Sequence, residues 1–244
     1  MTYPYVLPRL PYAPTALEPN LNRATIMTHH DRIFAGHIDG LNRALQPYPA
    51  LQRRPLSRLL LHPDCLPAPA RLDILHHGSG VYSHALYFSS LAPARTGNPD
   101  AALAEALRCS FGSMEDFLRA LRQASLQDTQ EGCTWLLCDR CGRLRLLFTP
   151  GLQTALPLVP ILCLDLHRHA YQLTCGDDRE AYVNAALPLL NWEILSLRYA
   201  TVSAGQPPCP NPKSGASTHP GRAAPLHANS PIGCLRAANS ARLF

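Results

Sequence analysis

The sequence predicts an α+β fold: an N-terminal antiparallel helical hairpin, followed by an α/β domain with a small three-stranded, mostly antiparallel sheet. Two runs with helical spacing, at residues 25–45 and 70–91, predict the hairpin. Three short strand-like runs, at residues 132–137, 143–148 and 158–164, predict the sheet. A chain of 244 residues is long enough to bury a sizeable core in such an arrangement.

The composition along the chain predicts three parts. We expect an N-terminal arm and helical hairpin domain at residues 1–94, an α/β domain at 95–200, and a disordered tail at 201–244. Prolines in residues 3–18 exclude a regular helix and favour an extended arm. The tail is rich in Pro, Ser, Gly, Ala and Asn and has no hydrophobic periodicity, so nothing in it predicts a packed core.

The first helix has one apolar face and carries a histidine. Apolar residues recur at three- and four-residue spacings, at Ile26, Phe34, Ile38, Leu41 and Leu45. Taken alone, His29 on this helix is a surface or capped histidine. Residues 46–69 are rich in proline and arginine and form the connection, with a short helix at 56–61. In the second helix, residues 78–80 read G-S-G, which weakens a helix.

The second half begins with two helices, at residues 101–109 and from a capping-box-like start at Ser113 to about residue 124. Cys138 and Cys141 form a lone C-x-x-C motif between the first two strands. Zinc binding is one interpretation, but no second pair lies at a suitable spacing, so a hairpin turn closed by Gly142 is favoured. Nine cysteines, an odd number, in a chain without an export signal do not favour a disulfide framework.

Charge and hydropathy argue against two classes of partner. The net charge of +5 comes from scattered arginines, with no basic run interleaved with aromatics, so we expect no nucleic-acid role. No apolar run reaches the length of a membrane span, and the N-terminus has neither a basic n-region nor an apolar h-region. We therefore expect a cytoplasmic protein without a membrane partner. A mild positive field would help to attract a small anion.

One stretch indicates a metal site. The apolar run 158–164 is followed by D-L-H-R-H at residues 165–169. A buried strand that ends on an acid and is followed by histidines presents carboxylate and imidazole groups where water is scarce, a ligand set that suits Mn, Fe or Zn. One aspartate and one histidine cannot fill a coordination sphere. The histidines at residues 27–30 and 81–88 can supply the rest.

These motifs carry a family resemblance. The arm reads Y-V-L-P-R-L-P-Y-A-P-T-A-L-E-P, helix two contains S-H-A-L-Y-F, the first strand G-C-T-W-L-L, and the ligand stretch D-L-H-R-H-A-Y. Over residues 3–200 the chain resembles the iron/manganese superoxide dismutases. The resemblance implies one manganese or iron ion per subunit, superoxide as substrate and a homodimer. The metal ligands that it implies are His29, His84, Asp165 and His169.

The resemblance also implies roles for three residues near the metal. His37 falls where the family has a substrate-gate tyrosine, and we expect it to donate a proton and to titrate near neutrality. Gln153 is the candidate for the active-site glutamine, although it is displaced by one position. Tyr171 retains the tyrosine of the family's H-A-Y segment.

The sequence departs from the family pattern at several positions. Ile33 replaces a histidine, His167 replaces a tryptophan, and Arg168 replaces a glutamate that in the family accepts a hydrogen bond from the partner subunit's ligand histidine. Arginine has no acceptor atom, so we predict a weakened or rearranged dimer and a less well-fixed His169. Histidines without a motif context are expected at the surface: His62, His76, His77 and His227.

The expected function is therefore metal-dependent disproportionation of superoxide to dioxygen and hydrogen peroxide. The altered surroundings of the metal also fit a catalytically weak metal-binding paralogue that acts as a structural or interaction protein. A third interpretation uses His29, His84 and Asp165 as the facial triad of a non-haem iron oxygenase, which requires His169 to be free. His167 offers an additional imidazole, either to the same ion or to a second one.

Overall fold

The protein is described here from a computed structural model that places residues 2–94, 97–139 and 141–204. The predicted tail, 201–244, lies outside these ranges except for its first four residues. Three of those continue the last helix, which ends at Ser203 and so extends past the predicted domain boundary. Among the described residues, no helix combines the length and apolar character needed to cross a membrane.

The first long helix contains a widened turn. It consists of α1 (Arg23–Met27), a π-helical segment (Thr28–Phe34) and α2 (Ala35–Leu45), which follow one another without a break. Asn22 starts it, because its side-chain oxygen accepts a hydrogen bond of 2.8 Å from the backbone N–H of Thr25. π-helical turns are rare and occur often at functional sites. This one carries the first predicted metal ligand.

The second long helix, α5 (Arg71–Ser89), packs against α2 as the predicted hairpin. The glycines at 78 and 80 do not interrupt it. Gly78 faces Leu60 and Leu56, where an added Cβ would lie 3.1 and 3.2 Å from their methyl carbons. Three short helical segments fill the connection, and the predicted helix at 56–61 is confirmed: α3 (Pro49–Gln52), α4 (Leu56–Leu61) and a 3-10 turn (Pro63–Cys65).

The α/β domain contains the predicted three-stranded sheet, with the order β2-β1-β3 and antiparallel pairing throughout. Its central strand is buried along its whole length. The strands are β1 (Gly132–Cys138), β2 (Leu144–Pro150) and β3 (Val159–Asp165). The helices around it are α6 (Ala101–Phe111), α7 (Met114–Gln127), α8 (Gln172–Cys175), α9 (Arg179–Ala186) and α10 (Trp192–Ser203).

A tight turn joins β1 and β2 at the C-x-x-C motif. Gly142 has a φ of 75°, which glycine adopts without strain, and its N–H donates to the Asp139 carbonyl at 3.1 Å. Cys138 and Cys141, on either side of the turn, are free thiols. The hairpin interpretation of this motif is therefore confirmed.

A buried arginine on α10 ties the hairpin to the sheet. Arg198 donates hydrogen bonds to Ser90 Oγ at 2.9 Å, to the Ile161 carbonyl at 2.9 Å and to Ser89 Oγ at 2.6 Å. Burial lowers the pKa of Arg198 to about 10. A buried charge is tolerated when it is hydrogen-bonded, and these bonds join the end of α5 to β3. The arrangement holds the histidines of the hairpin against the end of that strand.

Candidate metal centre

The structure brings the four predicted ligands together. His29 comes from the π-helical segment, His84 from the middle of α5, Asp165 from the last position of β3, and His169 from the 3-10 turn that follows. One donor atom from each lies within 4.8 Å of the others. The side chains of His29, His84 and Asp165 are at most 2% exposed, whereas that of His169 is 25% exposed. We call these four residues the metal cluster.

One carboxylate oxygen is the focus of the metal cluster. Asp165 Oδ2 lies 3.2 Å from the Nε2 atom of His29, 3.4 Å from that of His169 and 3.7 Å from that of His84. All three Nε2 atoms are buried and have no hydrogen-bond partner in the described structure. Buried polar atoms are normally satisfied, so this convergence fits a bound cation, and three imidazoles with one carboxylate suit manganese, iron or zinc.

Hydrogen bonds to the atoms of His84 and Asp165 that face away from the cluster orient these two ligands toward it. His84 Nδ1 lies 2.6 Å from the Gly80 carbonyl, which only accepts, so Nδ1 carries the proton and Nε2 is free to bind a metal. Asp165 Oδ1 accepts from the backbone N–H of His167 at 2.9 Å and from its Nδ1 at 2.7 Å. The Tyr182 hydroxyl donates to the Asp165 carbonyl at 2.7 Å. The carboxylate thus has one oxygen fixed and the other directed at the histidines.

Comparison with known proteins agrees with this arrangement. A sequence model described as "Iron/manganese superoxide dismutases, alpha-hairpin domain" matches residues 4–92, and one for the C-terminal domain of the same enzymes matches residues 99–198. The chain belongs to the iron/manganese superoxide dismutase family. The predicted class of enzyme is therefore confirmed at the level of the family.

Individual dismutases cover most of the chain. It is 34% identical over 200 residues to "Superoxide dismutase [Mn]" of Bordetella pertussis, a match that covers 80% of this chain and 94% of that one. It is 32% identical over 196 residues to the protein of the same name from Thermus aquaticus, covering 80% and 96%. "Superoxide dismutase [Mn] 1" of Leptolyngbya boryana is 31% identical over 201 residues, covering 81% of each chain.

Burial and charge set the protonation states of this dismutase centre. Burial lowers the pKa of His29 to about 4 and that of His84 well below its usual value. Burial alone would raise the pKa of Asp165, but His169 and His167 hold it well below the usual range. The rings of His29 and His84 are therefore neutral and the carboxylate is charged at pH 7, which are the forms that bind a metal.

His167 hydrogen-bonds the carboxylate of Asp165. The sequence offered this ring as an additional ligand, to the same ion or to a second one, and that interpretation stays a prediction. Burial opposes its protonation, but the charge and hydrogen bond of Asp165 raise the pKa of His167 to about 10. The protonated ring lies against Asp165 Oδ1, and one donor atom each of Cys133, Asp165 and His167 lies within 4.8 Å of the others. The residue that replaces the family's tryptophan thus positions the aspartate. No sequence motif signals this contact, because it depends on how the chain turns after β3.

The lowered histidine pKa values predict a pH dependence of the metal-free chain. The unfolded chain takes up a proton at His29 below its usual pKa of 6.5, whereas the folded chain does so only near 4. Stability is therefore lost as the pH falls through this window, by about 1.4 kcal/mol per pH unit for this group alone. Urea unfolding of the metal-free protein at pH 7 and pH 5 measures it. His29→Gln should flatten the dependence, and the exposed control His62→Gln should not. An unfolding free energy that is equal at both pH values would contradict the prediction.

The gate candidate His37 lies beside the metal cluster. Its ring centroid is 5.2 Å from that of His84, and the residue is half-buried on α2. Burial, with a smaller contribution from His76, lowers the pKa of His37 to about 4. The expectation that His37 titrates near neutrality is therefore wrong, because the ring loses hydration in the hairpin.

Gln153 does not reach the metal cluster. It lies between β2 and β3 and is exposed. Its carbonyl accepts a hydrogen bond of 2.7 Å from the Thr149 hydroxyl, which in turn accepts one of 2.8 Å from Trp135 Nε1. These bonds hold the backbone at Gln153 while its side chain is turned toward solvent. The amide of Gln153 is thus exposed, whereas the side chains of His29, His84 and Asp165 are buried.

Tyr171 is buried beside the centre and acts through another side chain. Its ring stacks on Tyr182, with centroids 4.9 Å apart and planes 18° apart. Tyr182 is the residue that hydrogen-bonds the Asp165 carbonyl. Tyr171 therefore packs behind the ligand stretch as a positioning residue.

Two histidines expected at the surface lie near the gate candidate. His76 is exposed and His77 is half-buried, and both gather around His37. Sequence reasoning missed this group because each residue was considered without its neighbours across the hairpin. The available signal was their position: both precede Gly80 by about one helical turn, in the helix that packs against α2.

Arg168 makes its contacts within its own chain. Its guanidinium forms an ion pair with Asp177, and its backbone N–H donates to Glu131 Oε1 at 3.0 Å. The side chains of this pair are both more than half exposed, so the pair contributes little to stability. The adjacent His169 is the most exposed of the four predicted ligands.

Proposed function

We propose that the chain is a superoxide dismutase. Superoxide would be converted to dioxygen and hydrogen peroxide at one manganese or iron ion held by the metal cluster. The convergence of three unpartnered, buried imidazole nitrogens on Asp165 Oδ2 carries this proposal. The three relatives described above are named as manganese enzymes, which favours manganese as the first ion to test.

One-electron oxidation and reduction of the substrate would be supplied by the bound ion. The side chains around the ion would orient its ligands and deliver a proton. Asp165 contributes a negative charge whose direction is fixed by His167, and His84 is held by the Gly80 carbonyl. His37 is half-buried and lies beside His84, which supports a role in passing a proton from solvent into the site. Because its ring is neutral at pH 7, we propose that His37 acts as a relay that donates a proton and regains one.

A catalytically weak, metal-binding paralogue is the second candidate. The exposed side chain of Gln153 favours it, because the amide expected to tune the site lies elsewhere. His29 Nδ1 also has no hydrogen-bond partner in the described structure, whereas metal-bound histidines are usually oriented through their second nitrogen. The oxygenase interpretation is disfavoured, since His169 approaches Asp165 Oδ2 together with the other two histidines.

Turnover per bound metal separates the two candidates. The full chain is loaded separately with manganese and iron, its metal content is determined by elemental analysis, and superoxide consumption is measured for each form. Fast turnover with either ion is the expected result. One metal per chain with negligible turnover would contradict the dismutase proposal and support the structural paralogue.

We further propose a homodimer that covers His169. This side chain is 25% exposed in the single chain, whereas those of His29 and His84 are at most 1% exposed, so a partner surface would complete the burial of the cluster. Arg168, next to it, offers no acceptor to a partner's histidine.

Arg168→Glu is expected to tighten this dimer by at least about tenfold, because a carboxylate can accept a hydrogen bond from the partner and a charge-assisted bond contributes about 1.5–3 kcal/mol. Sedimentation over a concentration series measures the dissociation constant. Arg145→Glu makes the same charge change at an exposed position of β2 and serves as the control. An unchanged or weaker dimer in Arg168→Glu alone would contradict the prediction.

A further inference from the structure

Three histidines outside the metal cluster form a second group between the two long helices. His37 comes from α2, and His76 and His77 come from α5; we call them the second histidine cluster. One ring nitrogen from each lies within 4.8 Å of the others. The ring centroids are 5.3 Å apart for His37 and His76, 5.5 Å for His37 and His77, and 4.9 Å for His76 and His77.

The rings of His37 and His77 pack closely against glycines on the opposite helix. A Cβ added to Gly80 on α5 would lie 2.5 Å from Cγ of the His37 ring. A Cβ added to Gly40 on α2 would lie 2.5 Å from both nitrogens of the His77 ring. Each helix therefore carries one of the two histidines, and its glycine leaves room for the histidine ring of the other helix. Packing fixes both imidazoles before any ligand arrives, which lowers the entropy cost of binding.

The held rings carry unsatisfied nitrogens. The Nδ1 atoms of His37 and His77 are buried and have no hydrogen-bond partner in the described structure. Buried polar atoms are normally satisfied, so the missing partners fit a site that takes up a ligand. His76 is exposed, and its ring already lies beside both of them. The charged groups acting on His77 are Asp73 and Arg43, which oppose each other.

We propose that the second histidine cluster binds a divalent transition-metal ion of the zinc class, separate from the metal cluster. Because His37 would be a ligand of this ion, zinc binding would exclude the proton-relay role proposed for His37 above. Imidazole nitrogen is a ligand for zinc, copper and nickel, and three imidazoles leave a fourth position for solvent. The cluster contains no carboxylate, so calcium and magnesium are poor candidates. In a tetrahedral zinc site the ligand nitrogens lie about 3.3 Å apart, so all three rings would move closer together on binding.

Zinc titration of the manganese-loaded full chain tests the proposal. Calorimetry measures zinc affinity, and elemental analysis verifies that manganese stays bound. His76→Asn is expected to weaken binding at this site at least tenfold, and His76→Asn/His77→Asn to remove one equivalent of bound zinc. His62→Asn, which changes an exposed histidine outside both clusters, should bind as the wild type does. The exposed thiols Cys65 and Cys141 are present in every variant, so their contribution cancels in the difference.

Identical titrations for the wild type and both variants would overturn the proposal. If the double variant does not fold, as judged by circular dichroism, His76→Asn still decides, because this residue is exposed. Crystals soaked with zinc provide a second readout: an anomalous peak among His37, His76 and His77 is expected, and its absence at full occupancy of the metal cluster would contradict the site. None of these measurements depends on superoxide turnover, so the result is independent of the proposed dismutase activity.

Discussion

His84→Ala is expected to lower superoxide turnover per chain by about 100-fold or more and to reduce bound manganese or iron in proportion. Loss of a residue that merely orients a ligand costs roughly 10–100-fold, and removal of the ligand itself should cost at least as much. The ring of His84 is held by the Gly80 carbonyl at 2.6 Å with Nε2 toward Asp165, so its removal takes one of the four donors from the metal cluster. Elemental analysis and a turnover assay on the same sample measure both effects.

A second buried histidine provides the matched control. His30 is 5% exposed and lies next to His29, but its ring nitrogens contact the Pro8 carbonyl and Asp31. His30→Ala should weaken the attachment of the N-terminal arm and lower stability while the metal is retained. Equal metal content and turnover in His84→Ala and His30→Ala would refute the assignment of His84 as a ligand.

Gly132→Ala is expected to lower the free energy of unfolding by at least about 3 kcal/mol, at the upper end of the usual cost of overpacking. The added Cβ would overlap the Thr149 carbonyl oxygen on the neighbouring strand and lie 2.8 Å from Cζ of Phe148. Backbone atoms cannot rotate away, so β1 and β2 must separate. The Gly132 carbonyl also accepts from the Leu166 N–H at 2.8 Å, and the displacement therefore reaches the ligand stretch.

Urea unfolding of the metal-free chain measures this effect, and Gly36→Ala is the control. An added Cβ at Gly36, on α2, meets nothing within 4 Å, so this variant should gain up to about 1 kcal/mol from helix propensity. A loss below about 1 kcal/mol in Gly132→Ala, within the ordinary range of point substitutions, would show that the strands adjust without cost.

Local patterns predicted most of the fold. The short helix at 56–61, the Ser113 cap of α7 and the three strands follow from periodicity and turn residues, which act over a few positions. The metal cluster required more than local spacing, because its members come from the π-helical segment, α5 and the end of β3. Only the family resemblance linked those elements before the structure did, and the structure brings the four residues together.

Features that depend on packing across elements could not be predicted. The pKa of His37 reflects burial against α5, and a sequence does not report how much water reaches a ring in a helical hairpin. The contacts of His76 and His77 depend on which turns of α2 and α5 face each other. The exposure of Gln153 depends on the conformation of the segment after β2. In such a segment, a shift of one residue changes whether a given side chain faces the interior or solvent.

The close packing of two histidine rings against glycines on the opposite helix limits which substitutions this chain can accept. His37 and Gly80 share one volume, and His77 and Gly40 share another. A larger residue at either glycine is admissible only after the opposing histidine has been replaced by something smaller, so the order of substitutions is constrained. We expect residues 37 and 80 to covary among descendants of this sequence, and residues 40 and 77 likewise, whether or not the lineage retains catalysis.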